Sequence, residues 1–547
     1  MLSPFFLTLW PELLLLTASA VLFLLGLGKT PRTRRTAPVV ALLALVFVML
    51  GAVADLGTSE WASVGSDGLT QYVRFITGGV GILLVLLSWP TNPRATGNGA
   101  YDVGNDVGEH FALLLLSLTG LTLAAGAKDI ITLFLAIELA SIPTYILVSI
   151  ARKGPAPQEA GVKYFYLGAL SAAVLLFGFS YLYGVTGQIQ LSTTLSTTAP
   201  GMEAIFAQFG AGGGVPTTNM GAYAVVGVVI IILGLCFKLA AVPMHVYAAD
   251  VYQGAATPVT AALSFIPKAV GLISLIKILR VVGGDSMHLP QAIVLILAVL
   301  AAATMTVGNV LAVMQLNVKR VLAYSSVAHS GYLLVGITAA AAAHERIDVQ
   351  LSAIQAVLFY IALYGVMNVG AFGVLQSLAS RSVTQGSVAG GHASAETFED
   401  IAGQGKNHPL LGLCMAVCSF SLMGLPITVG FIGKVYLFDV AFRSELYFLG
   451  GLLVLNSAIS AAYYLKIVGQ MFLRVPAAPR TDIELPSTRP ARLAVAISAI
   501  IVVGLGTALP ATQWMMSRAA LAAGFVDAPP VKPAAAGLQS PGAAEVK

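Results

Sequence analysis

Apolar runs of about twenty residues recur along almost the whole chain, and they leave little choice of architecture. A run of this length belongs in a bilayer, where every backbone N–H and C=O must be satisfied inside the protein. Helices meet that demand one segment at a time. The sequence therefore predicts an all-α polytopic membrane protein of about fourteen transmembrane helices, the first over 5–28 and the last over 491–517. Of 547 residues, 57% are hydrophobic and only 10% charged, with a mean hydropathy of +0.87. A soluble domain carries about 25% charged residues. The net charge of +5 forms no basic patch interleaved with aromatics, which argues against nucleic acid as a partner and for the lipid bilayer.

Loop charge sets the expected topology. Lys29, Arg32, Arg34 and Arg35 follow the first span, and Arg94, Arg152, Lys153, Lys163, Lys319, Arg320, Arg381, Lys406, Arg474, Arg480, Arg489 and Arg492 fall in or beside later odd-numbered loops. Even-numbered loops hold scattered charges: Lys128, Arg280, Arg346 and Arg443. Basic loops stay in the cytoplasm, so both termini are expected on the outer face of a bacterial inner membrane. The first span contains Glu12 and lacks a basic leader, which speaks against a cleaved signal. Two long glycine-rich loops, 185–220 and 380–407, read as flexible surface segments without chemistry.

Against this apolar background four ionisable residues stand near the middle of spans: Glu138, Lys238, Lys268 and Lys434. A charge at the bilayer centre costs about 2.5–3.5 kcal/mol on insertion scales, so it seldom sits there without a task. Two of the lysines lie in proline-broken segments. The seventh span, FKLAAVPMHVYAADVYQG, carries Lys238 before Pro243; the twelfth, SLMGLPITVGFIGKVYLF, carries Lys434 after Pro426. Proline removes a helical hydrogen bond and clashes with the preceding turn, so each span should unwind beside its lysine. The opposite order of lysine and proline suggests two inverted-topology repeats, with broken helices 7 and 12. The expected divisions are 1–108 (helices 1–3), 109–283 (first repeat, helices 4–8), 284–474 (second repeat, helices 9–13), 475–517 (helix 14) and a disordered tail over 518–547.

A proton relay is the chemistry these residues suggest. Glu138 and Lys238 would form a switchable pair, Lys268 would follow beside Pro267, and Lys434 would end the path in the far half. His329, in KRVLAYSSVAHSGYLLV, should lie near mid-depth, with Ser325, Ser326 and Tyr332 able to support water around it. His245 either bridges Lys238 to Lys268 or caps freed carbonyls, and the sequence does not separate the two. Lys466 is a further relay candidate, although snorkelling to the interface accounts for it more simply, as it does for Lys277. Arg74, Glu12, Lys128 and Asp129 read as span-end residues. Cys236, Cys414 and Cys418 lack any metal or disulfide pattern, and no flavin, nicotinamide, haem or phosphate-loop motif occurs.

The segments FLAIELASIPTYILV, FKLAAVPMHVYAADVYQGAATPVTAALSFIPKAVG, NVKRVLAYSSVAHSGYLLVG and GLPITVGFIGKVYLF resemble the antiporter-like membrane subunits of respiratory complex I, the proton-pumping NADH:quinone oxidoreductase. DVYQGA favours the N-type subunit over the L and M types or the Mrp-type sodium/proton antiporters. The local reading PMHVYAADVYQG departs from the usual N-type string in Val246, Tyr247 and Ala249 and keeps His245 and Asp250. The resemblance implies a translocase subunit that binds no cofactor of its own. NADH, FMN, iron–sulfur clusters and quinone would sit on other subunits, and the M-type subunit and the small K, J and A subunits would be neighbours. It also implies roles: Glu138 and Lys238 as the coupling pair, Lys268 as connecting lysine, His329 as the tenth-span polar site, and Lys434 as the lysine of the broken twelfth span. A stand-alone cation/proton antiporter or a membrane-bound hydrogenase subunit is the competing expectation. A sodium site would want several oxygen ligands, and the relay offers little beyond Glu138.

Overall fold

The structure is a computed structural model that describes residues 9–28, 31–57, 68–90, 106–152, 155–191, 202, 206, 219–284, 287, 289–343, 346–378, 395–475 and 489–523. Among these residues the secondary structure is helical apart from two isolated bridges. In chain order the helices are α1 (Trp10–Leu27), α2 (Pro31–Gly57), α3 (Gly68–Leu87), α4 (Val107–Gly126), α5 (Ile130–Ile150), α6 (Pro155–Thr186), α7 (Asn219–Leu239) and α8 (Ala248–Gly254). They continue with α9 (Thr257–Gly283), α10 (Gln291–Val313), α11 (Val318–Ala342), α12 (Ile347–Ser377), α13 (Phe398–Ile401), α14 (Gln404–Asn407), α15 (Pro409–Met423) and α16 (Val429–Arg443). The last three are α17 (Tyr447–Leu473), α18 (Arg489–Thr507) and α19 (Leu509–Ala522).

Thirteen of these helices are long and apolar enough to cross a membrane. The one expected span missing from these thirteen, the twelfth, is present as two halves, α15 and α16, each too short alone and joined at the Pro426 break. The helices α9, α11 and α12 are buried along nearly their whole length, so they form the centre of the bundle. By contrast α1, α2, α6 and α18 leave large apolar side chains such as Leu24, Phe47, Tyr166 and Ile500 on the outside, as lipid-facing helices do.

With no hydrophobic drive between helices in lipid, close approach depends on small residues. The seam between α10 and α11 shows this. At Gly308 of α10 an added Cβ would lie 2.6 Å from the Ala328 backbone, and at Gly331 of α11 it would strike the backbone of Met305. The glycines thus let α10 and α11 touch main chain to main chain, which fixes how α11 is turned.

Three sequence expectations are corrected. The helix expected to run to 517 stops at Thr507, because Pro510 cannot continue it, and α19 begins at Leu509. Residues 518–522, assigned by composition to the tail, are the end of α19, with Ala519 and Ala522 buried; residues 524–547 lie outside the described residues. Of the loop 380–407, residues 380–394 lie outside the described residues and 395–407 are ordered, since Thr397 and Asp400 close a capping box on α13 and Val318 N–H donates to the Glu396 carbonyl at 2.8 Å. Glu12 and Arg74 lie near the starts of α1 and α3, as expected of span-end residues, and face each other. They form a buried bidentate pair, Nε–Oε1 2.8 Å and Nη2–Oε2 2.6 Å, clamping α1 to α3.

Candidate functional site

Both broken helices end in the same way. After α7, Ala241 N–H reaches Cys236 O (2.7 Å) and Ala240 N–H reaches Phe237 O (3.0 Å); after α15, Leu425 N–H reaches Phe420 O (2.9 Å) and Gly424 N–H reaches Ser421 O (3.0 Å). This paired pattern terminates a helix by turning one residue left-handed. Gly424 does so without strain at φ +89°, whereas Ala240 does so at φ +51° against its own Cβ. Each break leaves a helix C-terminus in mid-bundle, carrying partial negative charge and unpaired carbonyls. Lysines stand at both. Lys238 sits in the last turn of α7, and Lys434 Nζ donates to Met423 O, the final carbonyl of α15, at 2.9 Å. The remaining groups are also taken up: Leu239 O accepts from Ser330 (2.6 Å), Phe237 O from Tyr247 (2.7 Å), and Gly430 N–H donates to Ser421 Oγ (3.0 Å).

Lys238 and Glu138 meet, as α5 and α7 both pack on α9. The Lys238 Nζ donates to Glu138 Oε1 (3.0 Å), Ser141 Oγ (2.9 Å) and Tyr145 OH (3.2 Å), three acceptors for three N–H groups. Ser141 and Tyr145 stand about one and two turns beyond Glu138 on the same face of α5, and this i, i+3, i+7 spacing was available in the sequence. The lysine is fully buried at 1% side-chain exposure, whereas Glu138 keeps 15%.

From Lys238 the row continues inward. A cavity of about 10 Å³, the room of one water, lies between Lys238 and Lys268 and is walled by Tyr164, Tyr247, Tyr252 and Pro267. His245 does not line it; it lies half-buried in the turn before α8, where its carbonyl accepts from Ala248. Lys268 is fully buried and donates to the carbonyl and hydroxyl of Ser326 on α11. That hydroxyl also pairs with Tyr252 at 3.2 Å.

Tyrosines then alternate with basic groups. The Tyr364 ring has Lys268 Nζ 5.4 Å from its centroid and the His329 ring at 5.1 Å. Tyr332 lies edge-on to His329 at 5.3 Å and presents its face to Lys434 Nζ at 4.8 Å. His329 is held by both ring nitrogens, Nδ1 to Tyr360 OH at 2.7 Å and Nε2 to Tyr464 OH at 3.2 Å, with Ser325 behind Tyr464. Asn309 bonds Tyr332 (2.9 Å) and accepts from Tyr463 (2.9 Å), tying α10 and α17 to this hub. The order is thus Glu138, Lys238, cavity, Lys268, Tyr364, His329, Tyr332, Lys434. Lys466 is apart from it, half-buried with Nζ over the Phe398 ring at 4.4 Å, and Lys277 reaches the Ala127 carbonyl at 2.7 Å.

Ser326 serves Lys268 rather than His329, and the histidine's partners come from α12 and α17. Sequence reasoning missed Tyr360, Tyr364 and Tyr464, which are indistinguishable in the linear chain from core aromatics. Among the described residues no cluster of His, Cys, Asp and Glu could hold a metal ion.

A row of buried basic groups between two broken helices defines an antiporter-like membrane subunit. The chain belongs to the NADH:quinone oxidoreductase/Mrp antiporter transmembrane family, whose model matches residues 127–460, a span that contains every member of the row. Within that family its relatives include N subunits. It is 38% identical over 428 residues (76% of this chain, 77% of the relative) to NADH-quinone oxidoreductase subunit N 1 of Sorangium cellulosum. It is 34% identical over 510 residues (93% and 96%) to NADH-quinone oxidoreductase subunit N of Paramagnetospirillum magneticum. A chain of respiratory complex I from Thermus thermophilus, solved with bound aureothin, superposes with a TM-score of 0.70 at 27% identity, covering 94% of this chain and all of that one.

Proposed function

We propose that this chain is the N-type proton-translocating membrane subunit of a proton-pumping NADH:quinone oxidoreductase. The observation that carries the reading is the row that runs from Lys238 across a water-sized cavity to Lys268 and then alternates basic and tyrosine side chains as far as Lys434, anchored at two helix C-termini in mid-bundle. Protons pass from Lys238 through water to Lys268, then by way of His329 to Lys434. Glu138 holds the charge on Lys238 and releases it when the pair separates. His245 and Lys466 lie beside this path rather than on it. Residues 109–283 and 284–474 act as inverted repeats, each contributing one break and its lysine.

The redox chemistry, with NADH, FMN, iron–sulfur clusters and quinone, belongs to other subunits, and the M-type, K, J and A subunits are the expected neighbours. Basic odd-numbered loops face the cytoplasm of a bacterium, and both termini face outward. Purifying the tagged chain from its own membranes tests the assignment. Co-purification of NADH:quinone activity supports it; an assembly that exchanges sodium for protons and oxidises no NADH overturns it.

A further inference from the structure

Besides the Glu12–Arg74 pair, a larger cluster of charged side chains lies mostly buried outside the row. Lys319, at the first turn of α11, is wholly inaccessible; its Nζ donates to Ala255 O, between α8 and α9, at 2.7 Å and lies 3.3 Å from Glu396 Oε1. The same carboxylate oxygen stands 3.1 Å from Arg152 Nη1, just past the end of α5. The loop is built to place this carboxylate: Glu396 N–H donates to Asp400 Oδ2 (3.1 Å) and its carbonyl accepts from Val318. The charged groups facing Glu396 are Arg152 from α5, Lys319 from α11 and, within its own loop, the capping Asp400. Burial pulls the Arg152 guanidinium below its ordinary value, and Glu396 beside it pushes it back up.

A fastener would not need this. The same end of the bundle is already tied by more exposed pairs, Arg320–Asp250 at 2.8 Å and Lys163–Asp250 at 3.5 Å. Burying ions costs several kcal/mol each and often stabilises less than apolar packing would. The position is informative instead. Lys319 and Ser326, which holds Lys268, lie on one face of α11 about 10 Å apart by helical rise. Tyr252 of α8 contacts Ser326, and α8 is the segment whose far end Lys319 grips through Ala255.

On the reading of the buried row as a proton path, we propose that Glu396 loads protons from the aqueous side onto Lys319, and that Lys319 is the first lysine of the path, upstream of Lys268. The step balances without a co-reactant. Lys319 gives a proton inward and becomes neutral, leaving Arg152 and Glu396 as a neutral pair. Glu396 takes a proton from a hydronium ion of the aqueous phase, whose O–H bond breaks to leave water as the carboxyl O–H bond forms. That bond breaks as the Nζ–H bond of Lys319 re-forms, and the carboxylate returns to Arg152.

The test uses the intact complex in proteoliposomes. Glu396→Gln keeps acceptor and size but carries no proton. Coupled NADH:quinone turnover in this variant should fall by about tenfold per pH unit above about pH 7, where the unsubstituted complex stays nearly flat, and Glu396→Asp should restore most of it. Lys319→Arg, which keeps the charge but does not release a proton, should lose coupled turnover, and it serves as the test if Glu396→Gln fails to assemble. An unchanged pH profile in Glu396→Gln, or normal turnover in Lys319→Arg, overturns the proposal. So does a pH-independent loss shared equally by Glu396→Gln and Glu396→Asp, which would mark a purely structural tie. Lys268→Met separates the two levels: if it pumps normally, the path itself is wrong; if it fails while Glu396→Gln is silent, only the loading role is.

Discussion

Replacing Glu138 by glutamine removes one charge and little else. Lys238 would keep Ser141 Oγ at 2.9 Å, Tyr145 OH at 3.2 Å and an amide oxygen in place of the carboxylate now at 3.0 Å. At that separation a unit pair is worth about 5 kcal/mol with an effective dielectric constant near 20. Glu138 retains 15% exposure, so screening reduces the figure. Even a remainder of about 2 kcal/mol corresponds to about thirtyfold in the equilibrium between the paired and separated arrangements. The expected outcome is an assembled complex that passes electrons from NADH to a soluble acceptor normally. Quinone-coupled turnover and proton uptake into inverted vesicles should fall by at least about tenfold. Glu138→Asp should be intermediate. Full pumping by a correctly assembled Glu138→Gln complex would refute the reasoning, because the pair would then be a static packing device.

Arg74→Met should destabilise the subunit by about 3–5 kcal/mol by leaving Glu12 buried and unpaired, and Glu12→Leu added to it should recover most of the loss, read by thermal unfolding of the purified complex. Gly331→Val should force α11 away from the Met305 backbone and cost about 1–3 kcal/mol in the same assay, whereas Gly451→Ala, where nothing lies within 4 Å of the added carbon, should be silent.

The membrane-spanning helices and both breaks were legible in the sequence because proline and apolar length act locally. The same holds for the mid-span lysines, which are conspicuous only because everything around them is apolar. What joins them was not legible. Tyr360 and Tyr364 come from α12 and Tyr464 from α17, and a tyrosine on an apolar helix looks the same whether its ring packs or spaces two charges. The Glu12–Arg74 pair closes across a whole intervening helix, α2, and no local pattern announces it. Glu396 was hidden differently. It follows a glycine- and serine-rich stretch whose composition suggested an idle loop, while its capping partner Asp400 sits only four residues on. The α18–α19 division followed from Pro510, a signal present but overridden by the apolar residues on either side.

The central claim is that protons cross the whole buried row, including its far half. The direct test is the number of protons translocated per NADH oxidised by the intact complex in vesicles, compared between the unsubstituted chain and Lys434→Met. Methionine fills the space over Tyr332 and leaves nothing to protonate. NADH oxidation with a soluble acceptor should persist while the proton ratio drops. An unchanged ratio in a fully assembled Lys434→Met complex would contradict the claim.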